Sequence, residues 1–281
     1  MDAAARWSRF SNLAGTSYRR HIQTLHEHGD LRNPDILAGV FMTPEERDEC
    51  LRLPAADLAH MRSSPYYHYL TARTKYYDQV LLDAVAGGIR RILLLGAGHD
   101  TRLYRFGGHL AAVGADVAEC DQPEAIAIKR TLASPLPHAQ RVAYFGVDLN
   151  ETSGCLELGR WLRDSTRPAL VCAEGVSPYV ETAAFHSFLR AAGELLPPGS
   201  ILAYDFKYSG AADDFGRRDG VGSPFRLPAD EAHVVSLHLQ AGFTSVTLTT
   251  CQTLMQTFLP SWHPGLSPLF TEDAIIHATR T

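Results

Sequence analysis

The pattern of apolar and polar positions changes near residue 70. Before it, the first ~60 residues are irregular and mixed in charge, which predicts short helices joined by polar connections. Pro34, Pro44 and Pro54 punctuate that stretch as helix starts or turns. Thr43-Pro44-Glu45-Glu46 reads as an N-cap, a proline at the first helical position, and acids in the first turn. After it, Tyr77, Val80, Leu81, Ala84 and Val85 recur at helical spacing and predict a helix over 71–86, ended by Gly87-Gly88. Short apolar runs then alternate with amphipathic stretches. Strands are expected at 90–95, 115–120, 141–147, 168–174 and 201–206. Helices are expected after Thr101 and near 123–133, 155–164 and 182–196, with a Pro197-Pro198-Gly199-Ser200 turn before the last strand. These strands are apolar on both faces, as in a parallel sheet covered by helices. A polar, glycine-rich stretch, Ser209 to Ser223, reads as a lid or binding loop. A helix near 228–241 and strands at 244–250 and 273–279 complete the pattern, which has no internal repeat.

Composition narrows the class. The chain has 281 residues, 45% hydrophobic and 20% charged, enough for one large α/β domain or two small ones in a globular protein. Net charge is −5 and no Lys/Arg run exceeds two, so no concentrated basic face is expected and no nucleic-acid partner. Met1 to Phe10 carries Asp2, Arg6 and Arg9 without an apolar stretch, so no signal peptide is expected there. No apolar run approaches the roughly 18 residues of a membrane helix, and no membrane association is expected. The five cysteines, Cys50, Cys120, Cys155, Cys172 and Cys251, are odd in number and lack C-x-x-C, which suits reduced thiols in a cytoplasmic protein. The thirteen histidines make no H-E-x-x-H; His26-Glu27-His28 is their tightest cluster, in a polar stretch, and no metal site is expected.

The first apolar run stops abruptly at chemistry. Ile92-Leu93-Leu94-Leu95 runs into Gly96-Ala97-Gly98-His99-Asp100-Thr101-Arg102, so two glycines leave room for a ligand at the carboxyl end of a buried strand. A dinucleotide fingerprint would place Gly or Ala at position 101; Thr101 is larger and branched, which disfavours NAD. Asp121 ends the second strand 23 residues after Gly98, where a carboxylate accepts both hydroxyls of a ribose; an ordinary strand-end acid before Pro123 is the plainer alternative. At the third strand's end, Asp148 would accept from an adenine amino group and Leu149 would cover the ring, although Asp148 or Asn150 equally suits helix capping. Glu174 follows a buried run and needs a partner, for which a cationic amine is suitable. Gly175-Val176-Ser177-Pro178-Tyr179 lacks the final glycine of the hydrolase elbow, so a serine nucleophile is disfavoured. Arg73 shares the apolar face of its helix with Tyr77; its guanidinium either clamps a ligand carboxylate or pairs with a protein acid. Adenosine, an amine and a carboxylate together describe S-adenosylmethionine, whereas NAD lacks the amino-acid end.

Four stretches also carry a family likeness: Arg73-Thr74-Lys75-Tyr76-Tyr77-Asp78, Leu95 to Arg102, Glu119-Cys120-Asp121-Gln122-Pro123, and Glu174-Gly175-Val176-Ser177-Pro178-Tyr179. In this order they make the chain resemble the leucine carboxyl methyltransferase family, which includes phosphatase C-terminal methyltransferases and tetracenomycin-type polyketide carboxyl methyltransferases. The resemblance covers about residues 65–206. It loosens in Thr16 to Pro34, where Asn33-Pro34 stands for the usual Asp-Pro, and beyond about 207. It implies that Arg73 holds the methionine carboxylate, Gly96 and Gly98 pass beneath the methionine part, and Asp121 binds the ribose. It further implies that Asp148 with Leu149 holds the adenine, Glu174 faces the amino group, and Tyr179 borders the acceptor.

The expected fold is therefore a class I, Rossmann-like seven-stranded sheet with one antiparallel strand. An N-terminal helical cap would occupy residues 1–65, and the core 66–281 with a lid or acceptor segment at about 207–227. The expected reaction is methyl transfer from S-adenosylmethionine, foremost to a carboxylate of a small molecule or a peptide C-terminus. An ionised carboxylate needs no general base. Tyr76, Tyr179, Tyr204 and Lys207 are candidate acceptor contacts. A phenol or amine methyltransferase is the first alternative and would need a base, for which His233 is the candidate. An NAD-dependent oxidoreductase and a non-catalytic module are the remaining alternatives.

Overall fold

The structure, a computed structural model, describes residues 13–163, 166–210 and 223–281. Eight strands form one sheet: β1 (Arg91–Leu95), β2 (Asp116–Asp121), β3 (Val142–Gly146), β4 (Leu170–Ala173), β5 (Ile201–Tyr208), β6 (Arg226–Leu227), β7 (Ser245–Thr250) and β8 (Asp273–Thr279). Their order is β3-β2-β1-β4-β5-β8-β7, with the two-residue β6 pairing parallel to β5 off this path. β1 to β5 run parallel, and β8 is antiparallel to both β5 and β7. This is the sheet of the expected class I fold, with one reversed strand near its edge; the two-residue β6 is an eighth strand beyond the seven expected. The chain winds outward from β1 to β3 and then returns to lay β4 on the other side of β1. That reversal opens a crevice at the carboxyl ends of β1 and β4, where ligands of such sheets bind.

Strand alternation divides the core. Ile92 and Leu94 of β1 pack into one apolar cluster, with Leu81, Val85 and Leu110. Leu93 and Leu95 pack into the other, with Phe185, Phe188 and Leu189. A third cluster of Tyr18, Ile22, Met42, Cys50, Met61 and Tyr67 joins the N-terminal helices to the start of the long Pro65–Ala86 helix. Among the described residues, Cys50, Cys120, Cys172 and Cys251 are buried free thiols.

Several boundaries differ from the sequence expectation for local reasons. The 71–86 helix begins six residues earlier, because Pro65 supplies a preset first turn. The helix after Thr101 is two short ones, Arg102–Arg105 and Gly107–Ala112. Thr43 caps the Pro44–Leu51 helix as expected, accepting from the Glu46 N–H while the Glu46 carboxylate accepts from the Thr43 N–H at 2.8 Å. The helices expected in the first ~60 residues include one of 14 residues, Leu13–His26, and one helix was not expected, Cys251–Phe258, which leaves β7 at once on a Thr250 N-cap. Most of the expected lid, residues 211–222, lies outside the described residues. No helix among the described residues is long and apolar enough to cross a membrane.

At Gly193 the Thr182–Leu195 helix meets its neighbour backbone to backbone. A Cβ on Gly193 would overlap the carbonyl group of Ala241, at the end of the Glu231–Gln240 helix. Backbone faces backbone there, so relief requires the helices to part. Gly193→Ala should therefore cost about 1–3 kcal/mol, as overpacked sites do. At roughly 2–4 °C per kcal/mol, calorimetry should show a melting temperature lower by several degrees. An unchanged transition would mean that this contact is not made.

Candidate functional site

Two cavities meet along the carboxyl ends of the central strands. The larger, about 360 Å³, is lined by residues 94–100, by Arg19, Arg20, Tyr66, Arg73 and Glu174, and by Asp205, Lys207, Phe270 and Asp273. The smaller, about 140 Å³, is lined by Asp121, Gln122, Asp148, Leu149 and Asn150. Leu95, Gly96, Gly175 and Tyr179 belong to both walls.

The glycine turn between the cavities is built by necessity. Gly96 and Gly98 have φ of 62° and 39°, and a Cβ on Gly96 would collide with a Val176 methyl group. The turn is pinned on both sides. Asp121 Oδ2 accepts the Gly98 N–H at 2.7 Å, and its Oδ1 accepts the Gln122 N–H at 2.7 Å. The Ala97 carbonyl accepts from Lys129 Nζ at 3.0 Å, and that buried cation is itself held 2.9 Å from Glu119. Burial raises the Glu119 carboxyl to about 6 against the pull of Lys129. In the smaller cavity, Asp148 accepts from the Asn150 N–H and from Gln122 Nε2, both at 2.9 Å. Leu149 is buried beside it.

Behind the turn lies a connected set of buried charges. Arg73 donates from Nε to Glu174 and from Nη1 to Asp205, each at 3.1 Å. Its Nη2 donates to no described residue, although Arg73 lines the larger cavity. Glu174 takes its second cation from Arg102 Nη2 at 3.0 Å. Arg102 is 0% exposed and also donates to Asp78 at 2.9 Å and to Asp100. Asp78 continues the chain to Arg105 at 2.7 Å. Thr101 stands where a third glycine would be in a dinucleotide loop; it is buried, donates to Asp35, and accepts from Arg105 Nε at 3.0 Å.

His99 stacks on Phe41 at 4.8 Å between centroids, and its Nδ1 is hydrogen-bonded to Ser17 Oγ at 3.0 Å. Burial, with Arg20 and Lys129 nearby, lowers its imidazole to about 4, so it is neutral at pH 7. No group of three metal-ligating side chains occurs among the described residues.

The structure sorts the candidates from sequence into two sets. Arg73, Gly96, Gly98, Glu174, Tyr179 and Lys207 line the larger cavity; Gly96 and Tyr179 also border the smaller one, with Asp121, Asp148 and Leu149. Tyr76, Tyr204 and His233 line neither. Tyr76 packs edge-on against Tyr77 and Phe258 and borders a separate cavity with Thr249 and His277. Tyr204 fails by strand alternation: Asp205 and Lys207 of β5 reach the site, while Tyr204 and Phe206 point into the core behind it. His233 is exposed in the first turn of its helix, with its backbone N–H given to Asp230. Sequence reasoning missed Asp205, although a carboxylate inside an apolar strand carries the same signal as Glu174. It also assigned no role to Arg19, Arg20, Tyr66, His99, Arg102, Phe270 or Asp273, several of which come from distant elements with no local mark.

Tyr204 instead has a structural task. His238 Nδ1 is 2.7 Å from the Val234 carbonyl, so it donates there, and Nε2 accepts the Tyr204 O–H at 2.7 Å. Tyr204→Phe should leave that buried nitrogen unpaired and cost about 1–3 kcal/mol. Its kinetic constants should match the wild type. Altered kinetics with an unchanged melting point would return Tyr204 to the site.

With this geometry in place, similarity to known proteins is informative. Residues 18–193 match the model of the family described as leucine carboxyl methyltransferase. A protein of Mycobacterium avium (strain 104), provisionally named an S-adenosyl-L-methionine-dependent methyltransferase, is 37% identical over 138 residues, 48% of this chain and 43% of the relative. A protein of the same provisional name from Mycolicibacterium paratuberculosis (strain ATCC BAA-968 / K-10) is 32% identical over 213 residues, 68% of this chain and 66% of the relative. The chain thus spans roughly half to two thirds of the length of these curated relatives. Among solved structures, an O-methyltransferase family protein from Burkholderia thailandensis aligns with a TM-score of 0.45 and 12% identity, covering 78% of this chain and 63% of that one.

Proposed function

The chain belongs to the leucine carboxyl methyltransferase family, and we propose that it transfers the methyl group of S-adenosylmethionine to a carboxylate oxygen of a small molecule or a peptide C-terminus. The observation that carries this reading is the pair of cavities meeting at the Gly96 turn, with Asp121 beside one and Arg73 beside the other.

The residues present suit that cosubstrate. Asp121 spends one lone pair of each oxygen on backbone N–H groups, which fixes its carboxylate and leaves acceptor capacity for a ribose diol. Asp148, held by Asn150 and Gln122, would take the adenine amino group, with Leu149 against the ring. The Gly96 turn lets the methionine chain pass close to the backbone. The Nη2 of Arg73 would hold the methionine carboxylate, and Glu174 would face its ammonium group. When bound, the sulfonium supplies an already activated methyl group. The protein's own work is then to align, to exclude water and to present the acceptor. Arg19 and Arg20 bring positive charge to the larger cavity, which suits an anionic acceptor, and Tyr66, Phe270 and Tyr179 supply apolar wall. A carboxylate is ionised at pH 7 and attacks without losing a proton.

Two measurements test this. In calorimetric titration, Asp121→Ala should weaken S-adenosylmethionine binding by about 1.5–3 kcal/mol, roughly tenfold to a hundredfold. Unchanged affinity would remove the ribose role. The methylated product of an acid or peptide acceptor should release methanol in mild alkali, as an ester does. An alkali-stable product from every acceptor would overturn the carboxylate assignment.

A further inference from the structure

Asp100, Glu174, Asp205 and Asp273 all line the larger cavity. Three of them have both oxygens engaged. Asp100 accepts the Arg102 N–H at 2.7 Å on Oδ1 and the Arg102 guanidinium on Oδ2. Glu174 is shared between Arg73 and Arg102. Asp205 accepts from Tyr77 Oη at 3.2 Å and the Gly175 N–H at 2.6 Å on Oδ1, and from Arg73 on Oδ2. Asp273 differs. Its Oδ1 accepts from Lys207 Nζ at 3.1 Å, and no described residue donates to Oδ2. Yet Asp273 is only 4% exposed.

The sheet register explains the placement. Asp273 opens β8 directly opposite Lys207 of β5, and Asp205 precedes Lys207 by two positions on the same face. All three therefore reach the same end of the cavity. A buried carboxylate with an open oxygen is unfavourable unless something hydrogen-bonded enters beside it. A group bearing a proton would satisfy it by donating to Oδ2.

Resting on the methyl-transfer reading above, we propose that Asp273 is a general base in the acceptor half of the cavity and that the protein methylates a neutral hydroxyl acceptor as well as a carboxylate. The acceptor oxygen forms its bond to the methyl carbon as the carbon–sulfur bond breaks. The electron pair of that bond stays on sulfur, and the hydroxyl proton passes to Asp273 Oδ2. Lys207 positions the base by holding Oδ1, and its own second carboxylate partner is Glu272 at 3.3 Å.

The electrostatic surroundings suit a base that works near neutrality. Burial raises the Asp273 carboxyl to about 6; Lys207 and Arg73 oppose the rise and Asp205 adds to it. Tyr69, Tyr208 and Cys251 also act on this position, and burial keeps all three protonated. Asp273 is then ionised at pH 7, with a conjugate acid close to the working range, which is where general bases are most effective.

The test uses acceptors that carry both groups. Salicylate and 4-hydroxybenzoate are incubated with S-adenosylmethionine and the full chain, and ester is separated from ether by mild alkali before mass spectrometry. The wild type should form both products, and ether formation should rise with a midpoint near pH 6 while ester formation stays flat. Asp273→Asn should lower the ether-to-ester ratio about a hundredfold, within the usual range for a lost general base. Ester alone from the wild type, or an unchanged ratio in the variant, overturns the inference. If the variant does not fold, the wild-type pH profile decides, and a flat ether profile is the overturning result. Intact S-adenosylmethionine binding without any methylated product overturns the inference alone, whereas absent binding overturns the methyl-transfer reading beneath it.

Discussion

The guanidinium of Arg102 has no contact with solvent, and the site is arranged around it. It reaches Asp78 on the Pro65–Ala86 helix, Asp100 in the loop after β1, and Glu174 at the end of β4. A buried charge of this kind is tolerated only when its partners surround it, and removing one side of such a set typically costs about 3–5 kcal/mol. Three separate elements are therefore held at fixed distances by one side chain. Arg73 repeats the device from the other side of Glu174 and adds Asp205 of β5. Glu174 is the shared anion, so the two arginines set its position between them.

This arrangement has a consequence for the cavity. Its acids are largely paired with protein cations before any ligand enters: Glu174 with Arg73 and Arg102, Asp205 with Arg73, and Asp273 with Lys207. The same network extends outward. Asp78 holds Arg105, and Asp35, itself paired with Arg20 at 3.4 Å, accepts from Thr101. The N-terminal helices are thus tied electrostatically to the loop that forms the floor of the site, and Arg20 reaches the His99 carbonyl at 2.9 Å. The neutral His99 ring between Phe41 and Ser17 adds a wall without adding charge.

The glycine turn illustrates how much precision comes from behind. Asp121 and Lys129 hold it from opposite sides, and neither interaction involves a side chain of the turn itself. Lys129 is buried with Glu119, whose other oxygen accepts from Tyr104 at 2.8 Å. A polar network of this depth is costly unless complete. Lys129, with its charge set against Glu119, holds the Ala97 carbonyl of the turn.

Local signals determined a large share of this protein. Apolar runs bounded by glycine and proline located seven strands and most of the helices, because burial on both faces and turn chemistry act over a few residues. Gly96, Gly98, Asp121, Asp148 and Glu174 were legible for the same reason: each sits at a strand end, where the period of the strand stops. What the tertiary structure alone decided was which side chains from distant elements converge. Arg19, Tyr66, Phe270 and Asp273 carry no mark in their own neighbourhoods, since nothing local tells a buried polar residue what it will face. Tyr204 and Lys207 make the point within a single strand. Both are compatible with a site, and only the direction of the pleat, set by pairing with β4 and β8, sends one into the core and the other to the cavity.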